Sequence, residues 1–155
     1  MKNVINRALC VILVIITTHA NAQIQNKLPI TEPDYHKPKL FNNLPSVLAL
    51  NIEQVNVALN KQEGTELAIQ LSDQLVIQGT IISTSDKKNS RQKSIVVKCS
   101  NWPGTYLTLS ATANNDNMIL NGRLLSRQYG DAFEIEKKNG IYYLQKINLY
   151  DLLSE

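Results

Sequence analysis

Few side chains in this chain can do chemistry, and they stand far apart. The 155 residues contain two cysteines and two histidines. Cys10 and His19 fall in the first 22 residues, which leaves Cys99 and His36 for the remainder. A thiol or hydroxyl nucleophile needs a base within hydrogen-bond reach. His36 sits in a proline-rich stretch, whereas Cys99 alternates with the apolar Ile95 and Val97, the pattern of a buried strand face. One cysteine and one histidine cannot furnish the ligands of an ordinary zinc site. Glu134 and Glu136 share a strand face, and Asp131 lies near Arg127. Carboxylates at such spacing could act as an acid–base pair, but on a solvated face they only confer solubility. Asp116, within Asn114-Asn115-Asp116-Asn117, offers one carboxylate where a calcium loop needs several followed by a glutamate. It reads as a polar turn. No glycine-rich phosphate loop, GxSxG, HExxH or CxxC occurs. These residues predict a non-catalytic protein without cofactor or metal.

The N-terminus carries an address. Lys2 and Arg7 precede the apolar run Ala8 to Ile16, and Ala20-Asn21-Ala22 follows, the order of a cleaved secretory signal. The run is too short to span a bilayer, which needs about 20 apolar residues. Cleavage after residue 22 removes Lys2 and Arg7 from 16 basic residues, leaving 14 against 13 acidic. A net charge of +1 gives no footprint for nucleic acid or an anionic membrane. The expectation is export to the periplasm or beyond, with no stable membrane insertion afterwards. The lone Cys99 then has no intramolecular disulfide partner.

Residues 23–45 contain Pro29, Pro33, Pro38 and Pro45. This spacing forbids a helix and predicts an extended leader, either a tether or a strap across the domain through Tyr35, Leu40 and Phe41. The remainder, residues 46–155, is read as one β-rich domain. Its helical signal is Asn51 as N-cap with Gln54 in capping-box register, followed by Ile52, Val55 and Leu59 on one face. Val47, Leu48 and Leu50 before it suit an apolar entry or a short strand.

From Thr65 the period is two. Inward rows are Leu67-Ile69-Leu71, Leu75-Ile77-Gly79-Ile81, Ile95-Val97-Cys99, Leu107-Leu109-Ala111, Met118-Leu120-Gly122-Leu124 and Phe133-Ile135. Gly79 within a strand suggests a bulge or bend. The stretch 83–94, STSDKKNSRQKS, has no apolar residue and reads as a solvated basic hairpin tip. Asn139-Gly140 is a strong hairpin signal, because a type I′ turn needs positive φ at both central residues. The last strand is apolar on both faces at Tyr142, Tyr143 and Leu144. About seven strands with one short helix near the N-terminus predict a mainly β antiparallel meander, closed as a barrel or folded as a sandwich.

Three segments together carry a family likeness: LALNIEQVNVALN (48–60), the strand pair after it, and the piece from Gly104 to Ile147. In the last, L-x-G-x-L precedes G-D-x-F-x-I and N-G-x-Y-Y-L-x-K-I. The pattern resembles the N-terminal propeptides of secreted bacterial zinc metallopeptidases, over about two-thirds of the chain after residue 22. No catalytic domain accompanies it here. The resemblance implies a propeptide-like or inhibitor-like module that binds a peptidase.

The functional expectation is an exported β domain that recognises another protein through its terminal strand, a type of edge able to extend a partner's sheet. Trp102, beside Pro103-Gly104, is a core plug or a binding anchor. Arg123, Arg127, Tyr142 and Leu144 form the expected outward binding row. The competing classes are a periplasmic barrel holding an apolar small molecule beside Trp102, and a structural envelope subunit that self-associates.

Overall fold

The computed structural model of the chain describes residues 36–87, 91–114 and 117–150. The expected signal peptide, the leader as far as residue 35, the tip residues 88–90, the turn residues 115–116 and the terminal 151–155 lie outside them. The elements in order are β1 (Val47–Ala49), α1 (Ile52–Leu59), β2 (Glu66–Ser72), β3 (Leu75–Lys87), β4 (Gln92–Cys99), β5 (Thr105–Asn114), β6 (Asn117–Ser126), β7 (Asp131–Lys138) and β8 (Ile141–Asn148). All eight strands join one antiparallel sheet in the order β1-β8-β7-β6-β5-β4-β3-β2, curled into a half-barrel. From β2 to β8 each strand pairs with its sequence neighbour, so two-residue turns suffice at several connections. Asn139 and Gly140 take φ of 52° and 83°, as their hairpin demands.

The inward rows read from the period-two pattern form the core. Leu71, Leu75, Ile77, Val97, Leu107, Leu109, Leu124 and Phe133 are essentially inaccessible. Helix α1 covers the concave face against β2, β4 and β5, burying Val55, Ala58 and Leu59. Its cap forms as the sequence predicts, Asn51 Oδ1 accepting from the Gln54 N–H at 3.2 Å. The Asn51 N–H, however, donates to the Leu71 carbonyl at 2.8 Å, and the preceding Leu50 N–H donates to the Tyr142 carbonyl at 3.1 Å. Two consecutive amides thus connect β8, the strand next to one edge of the open sheet, with β2 at the other edge.

Residues 37–44 act as a strap at the end of the half-barrel where β3, β5 and β7 begin. Asp131, only 1% exposed, accepts from the Leu40 N–H at 2.6 Å and the Phe41 N–H at 2.9 Å. Gly130 N–H donates to the Pro38 carbonyl at 2.9 Å. On the other side the Lys146 ammonium donates to the Phe41 and Leu44 carbonyls. A carboxylate reads the strap's donors and an ammonium reads its acceptors, both as charge-assisted bonds. Phe41 is thereby turned inward, with its ring centroid 5.3 Å from Trp102 and 5.1 Å from Phe133. Asp131 is therefore a buried clamp and not a solvated carboxylate.

Four further sequence expectations need correction. The polar stretch 83–94 is mostly strand, because β3 runs to Lys87 and β4 starts at Gln92 with paired register throughout. Gly79 is not a bulge; the register shift falls between Ile81 and Ser83. Gly79 instead permits close approach of β4, since a Cβ there would lie 2.2 Å from the Lys98 carbonyl oxygen. The final strand is not a free edge, because β1 pairs along it through Val47↔Gln145, Leu48↔Leu144 and Ala49↔Tyr143. Lastly, Tyr142 and Leu144 do not face outward; they are 6% and 1% exposed.

Tyr142 has a specific task there. Strand β6 pairs with β7 only from Arg123 to Leu125, so its first half parts from β7. The Tyr142 hydroxyl reaches into this interval, donating to the Met118 carbonyl at 2.9 Å and accepting from the Leu120 N–H at 3.1 Å. It replaces a ladder partner that β7 does not supply. Tyr142→Phe should lower unfolding stability by about 1–3 kcal/mol, the cost of stranding buried backbone groups. Urea unfolding checks this, and a change below about 0.5 kcal/mol would refute the assignment.

Candidate functional site

The residues singled out from sequence do not converge on one site. Trp102 is half-buried against Phe41 in the aromatic plug, and its Nε1 donates to the Val76 carbonyl at 3.3 Å. Arg127 is at the same end, where its carbonyl accepts from Lys37 Nζ at 2.8 Å. Arg123 lies midway along the outer face, with Nε and Nη2 at 2.9 and 2.8 Å from Glu134 Oε1. It lines a shallow outer trough of about 440 Å³ with Ser94, Val96, Thr108, Ser110 and Asn121. Tyr142 and Leu144 belong to the core. Cys99 is buried, and burial pushes its thiol up to about 11 despite the opposing hydrogen bond with the Leu107 backbone. It remains a neutral thiol at neutral pH and is a poor nucleophile. Glu134 is paired with Arg123 on the outer face, whereas Asp131 is engaged by the strap amides of Leu40 and Phe41. Among the described residues no group of three or more His, Cys, Asp or Glu side chains could hold a metal ion, and no helix is long and apolar enough to cross a membrane.

The stronger feature is the edge of β2, the terminal strand of the sheet on the side opposite β1. The orientation of its backbone follows from its neighbours. Ile81 accepts from the Gly64 N–H and donates to the Thr65 carbonyl, while the Gln78 carbonyl accepts from the Ser100 N–H. In an antiparallel strand the N–H and C=O of one residue point to the same side, and successive residues alternate. The odd residues of β3 therefore face β2, and the even ones face β4. On β2, Leu67 and Ile69 bond inward to Gly79 and Ile77. Glu66, Ala68 and Gln70 direct their N–H and C=O groups away from the sheet, and among the described residues no strand lies beyond them.

This edge lacks most of the devices that blunt natural edges, such as proline, lysine or a bulge. Between Glu66 and Gln70 the pairing is continuous, and the irregularity comes only at Gln70–Ser72. All three edge residues have exposed side chains on the outer face. Beside them the small side chains of Ala68 and Ser100 leave a trough of about 370 Å³, also lined by Glu66, Gln78 and Thr80. An extended segment laid along β2 would gain main-chain hydrogen bonds from the edge and could seat a side chain in the trough.

The architecture defines a class, a curled antiparallel half-barrel with one helix on its concave face. Comparison with protein-family models, curated proteins and solved structures found no match.

Proposed function

We propose that this chain is an exported, non-catalytic recognition domain that takes an extended segment of a partner protein onto the β2 edge. The observation that carries this reading is the row of backbone donors and acceptors at Glu66, Ala68 and Gln70, with a side-chain-sized trough next to it. Strand addition draws affinity from the main chain and selectivity from alternate side-chain pockets. The N-terminal signal pattern supports export. The propeptide-like likeness suggests a secreted peptidase as the partner class.

Ala68→Pro gives a clean test, because the N–H it removes points off the sheet and belongs to no ladder bond. Proline is tolerated at such edge positions, so the variant should stay folded and lose at least about tenfold in partner affinity. The measurement is paired capture from the native secretome by the wild-type protein and the variant, followed by titration of any protein retained only by the wild type. Equal retention by both would overturn the reading. A second copy is the competing occupant, and one observation favours it. Pairing of two β2 strands about a twofold at Ala68 would set Glu66 opposite Gln70, with no like charges facing. Sedimentation showing a dimer that Ala68→Pro dissociates would assign the edge to self-association instead.

A further inference from the structure

At the end of the half-barrel away from the aromatic plug, the inner face changes character. Lys93 lies opposite both Asp86 and Ala111 across its two ladders, and Ala113 lies opposite Met118. These residues continue the inward rows beyond the core layer of Ile95 and Leu109. Ala111, Ala113 and Met118 form an apolar floor, and Asp86, Arg91 and Lys93 stand around it, enclosing about 280 Å³. The core stops below this floor, because Ala111 and Ala113 fill little of the space that the strand spacing provides.

We infer that this pocket binds a short single-chain amphiphile with an anionic head group. The apolar floor suits a hydrocarbon chain, and the rim carries two cations against one carboxylate. Among the described residues no salt bridge joins Asp86 to Lys93. Lys93 Nζ is held by Asn60 Oδ1 at the end of α1, at 2.6 Å, which fixes an ammonium at the mouth of the pocket. An anionic head beside it would form charge-assisted bonds. Small-molecule sites commonly occupy about 300–1,000 Å³, so this pocket falls just below that range and fits one short chain better than a diacyl lipid or a sterol. The site lies the length of β5 away from Trp102, where the sequence placed an apolar ligand and where Phe41 occupies the space. It is also independent of the β2 edge.

Met118 supplies its own probe, because the chain has only one other methionine, Met1. Methyl-¹³C-methionine labelling and titration with decanoate below its micellar concentration should give a saturable shift of the Met118 methyl signal. Ala113→Phe, at an exposed position, should abolish the shift while amide dispersion elsewhere is retained. Arg91→Glu should weaken binding by about tenfold or more, and decyltrimethylammonium should produce no saturable shift. Absence of saturation with decanoate would overturn the inference, as would an equal response to the cationic amphiphile. Undiminished binding by folded Ala113→Phe would do the same.

Discussion

Phe41→Ala is expected to destabilise the domain by about 3–5 kcal/mol, the range for deleting a fully buried aromatic side chain. Against a total stability of about 5–15 kcal/mol for an ordinary domain, this is the difference between a folded and a marginal protein. The magnitude follows from position. Phe41 is completely buried and lies between Trp102 and Phe133, with tilted ring planes at 54° and 56°. Tilted aromatic pairs at such separations add about 0.5–1.5 kcal/mol each beyond the area they bury. The strap cannot easily slide another residue into the gap, because Asp131 and Lys146 hold the backbone on both sides of Phe41. Equilibrium urea unfolding, followed by the fluorescence of the sole tryptophan Trp102, measures the effect directly. A lower midpoint with an unchanged slope is expected. A loss below about 1 kcal/mol would show that the strap merely rests on the barrel end.

That result would also explain why the extended leader was only half legible. Proline spacing excludes a helix from residues 23–45, and it leaves both a tether and a strap open. The decision rests on Asp131, some ninety positions away, whose carboxylate has nothing local to announce that it caps the amides of Leu40 and Phe41. Long-range polar clamps leave no periodic trace. The inward rows between Leu67 and Ile135, by contrast, are legible, because burial of one face imposes alternation wherever a strand crosses the core. Residues 83–87 are illegible as strand for the complementary reason. Both their faces are solvated, so pairing with β4 holds them extended without any apolar alternation.

The edge of the sheet is hidden from the sequence by the same logic. Being an edge is a property of topology, and a three-residue strand such as Val47–Ala49 is too short to register as a period. With β1 along β8, the strand without a further neighbour among the described residues is β2, whose sequence reads like any half-buried strand. The face of Tyr142 and Leu144 is not legible in the sequence, because Tyr142, Tyr143 and Leu144 are apolar in succession and parity is undetermined. The pairing of Leu144 with the inward Ile135 and the need of Leu120 and Met118 for a polar partner settle it.

Gly79→Ala should be as damaging as many core truncations, at about 3 kcal/mol, the top of the usual range for overpacking. The added methyl would meet backbone: the Lys98 carbonyl oxygen at 2.2 Å and the Cys99 Cα at 3.0 Å. No rotamer change can clear a main-chain atom, so β3 and β4 must separate locally. The ladder where Gly79 faces Cys99 and Thr80 faces Lys98 would then weaken. Conformational entropy works the other way, because replacing glycine at an ordinary strand dihedral favours folding by about 0.4–1 kcal/mol, too little to offset the clash. Gly140→Ala separates the two effects. It has open space within 4 Å but a φ of +83°, so it should cost only about 1 kcal/mol, through backbone strain alone. Hydrogen exchange on Gly79→Ala should show accelerated amides clustered on β3 and β4, with β7 and β8 protected until global unfolding. Uniform acceleration of the whole sheet would mean that the close approach at Gly79 is not a local contact but the point on which the half-barrel's closure depends.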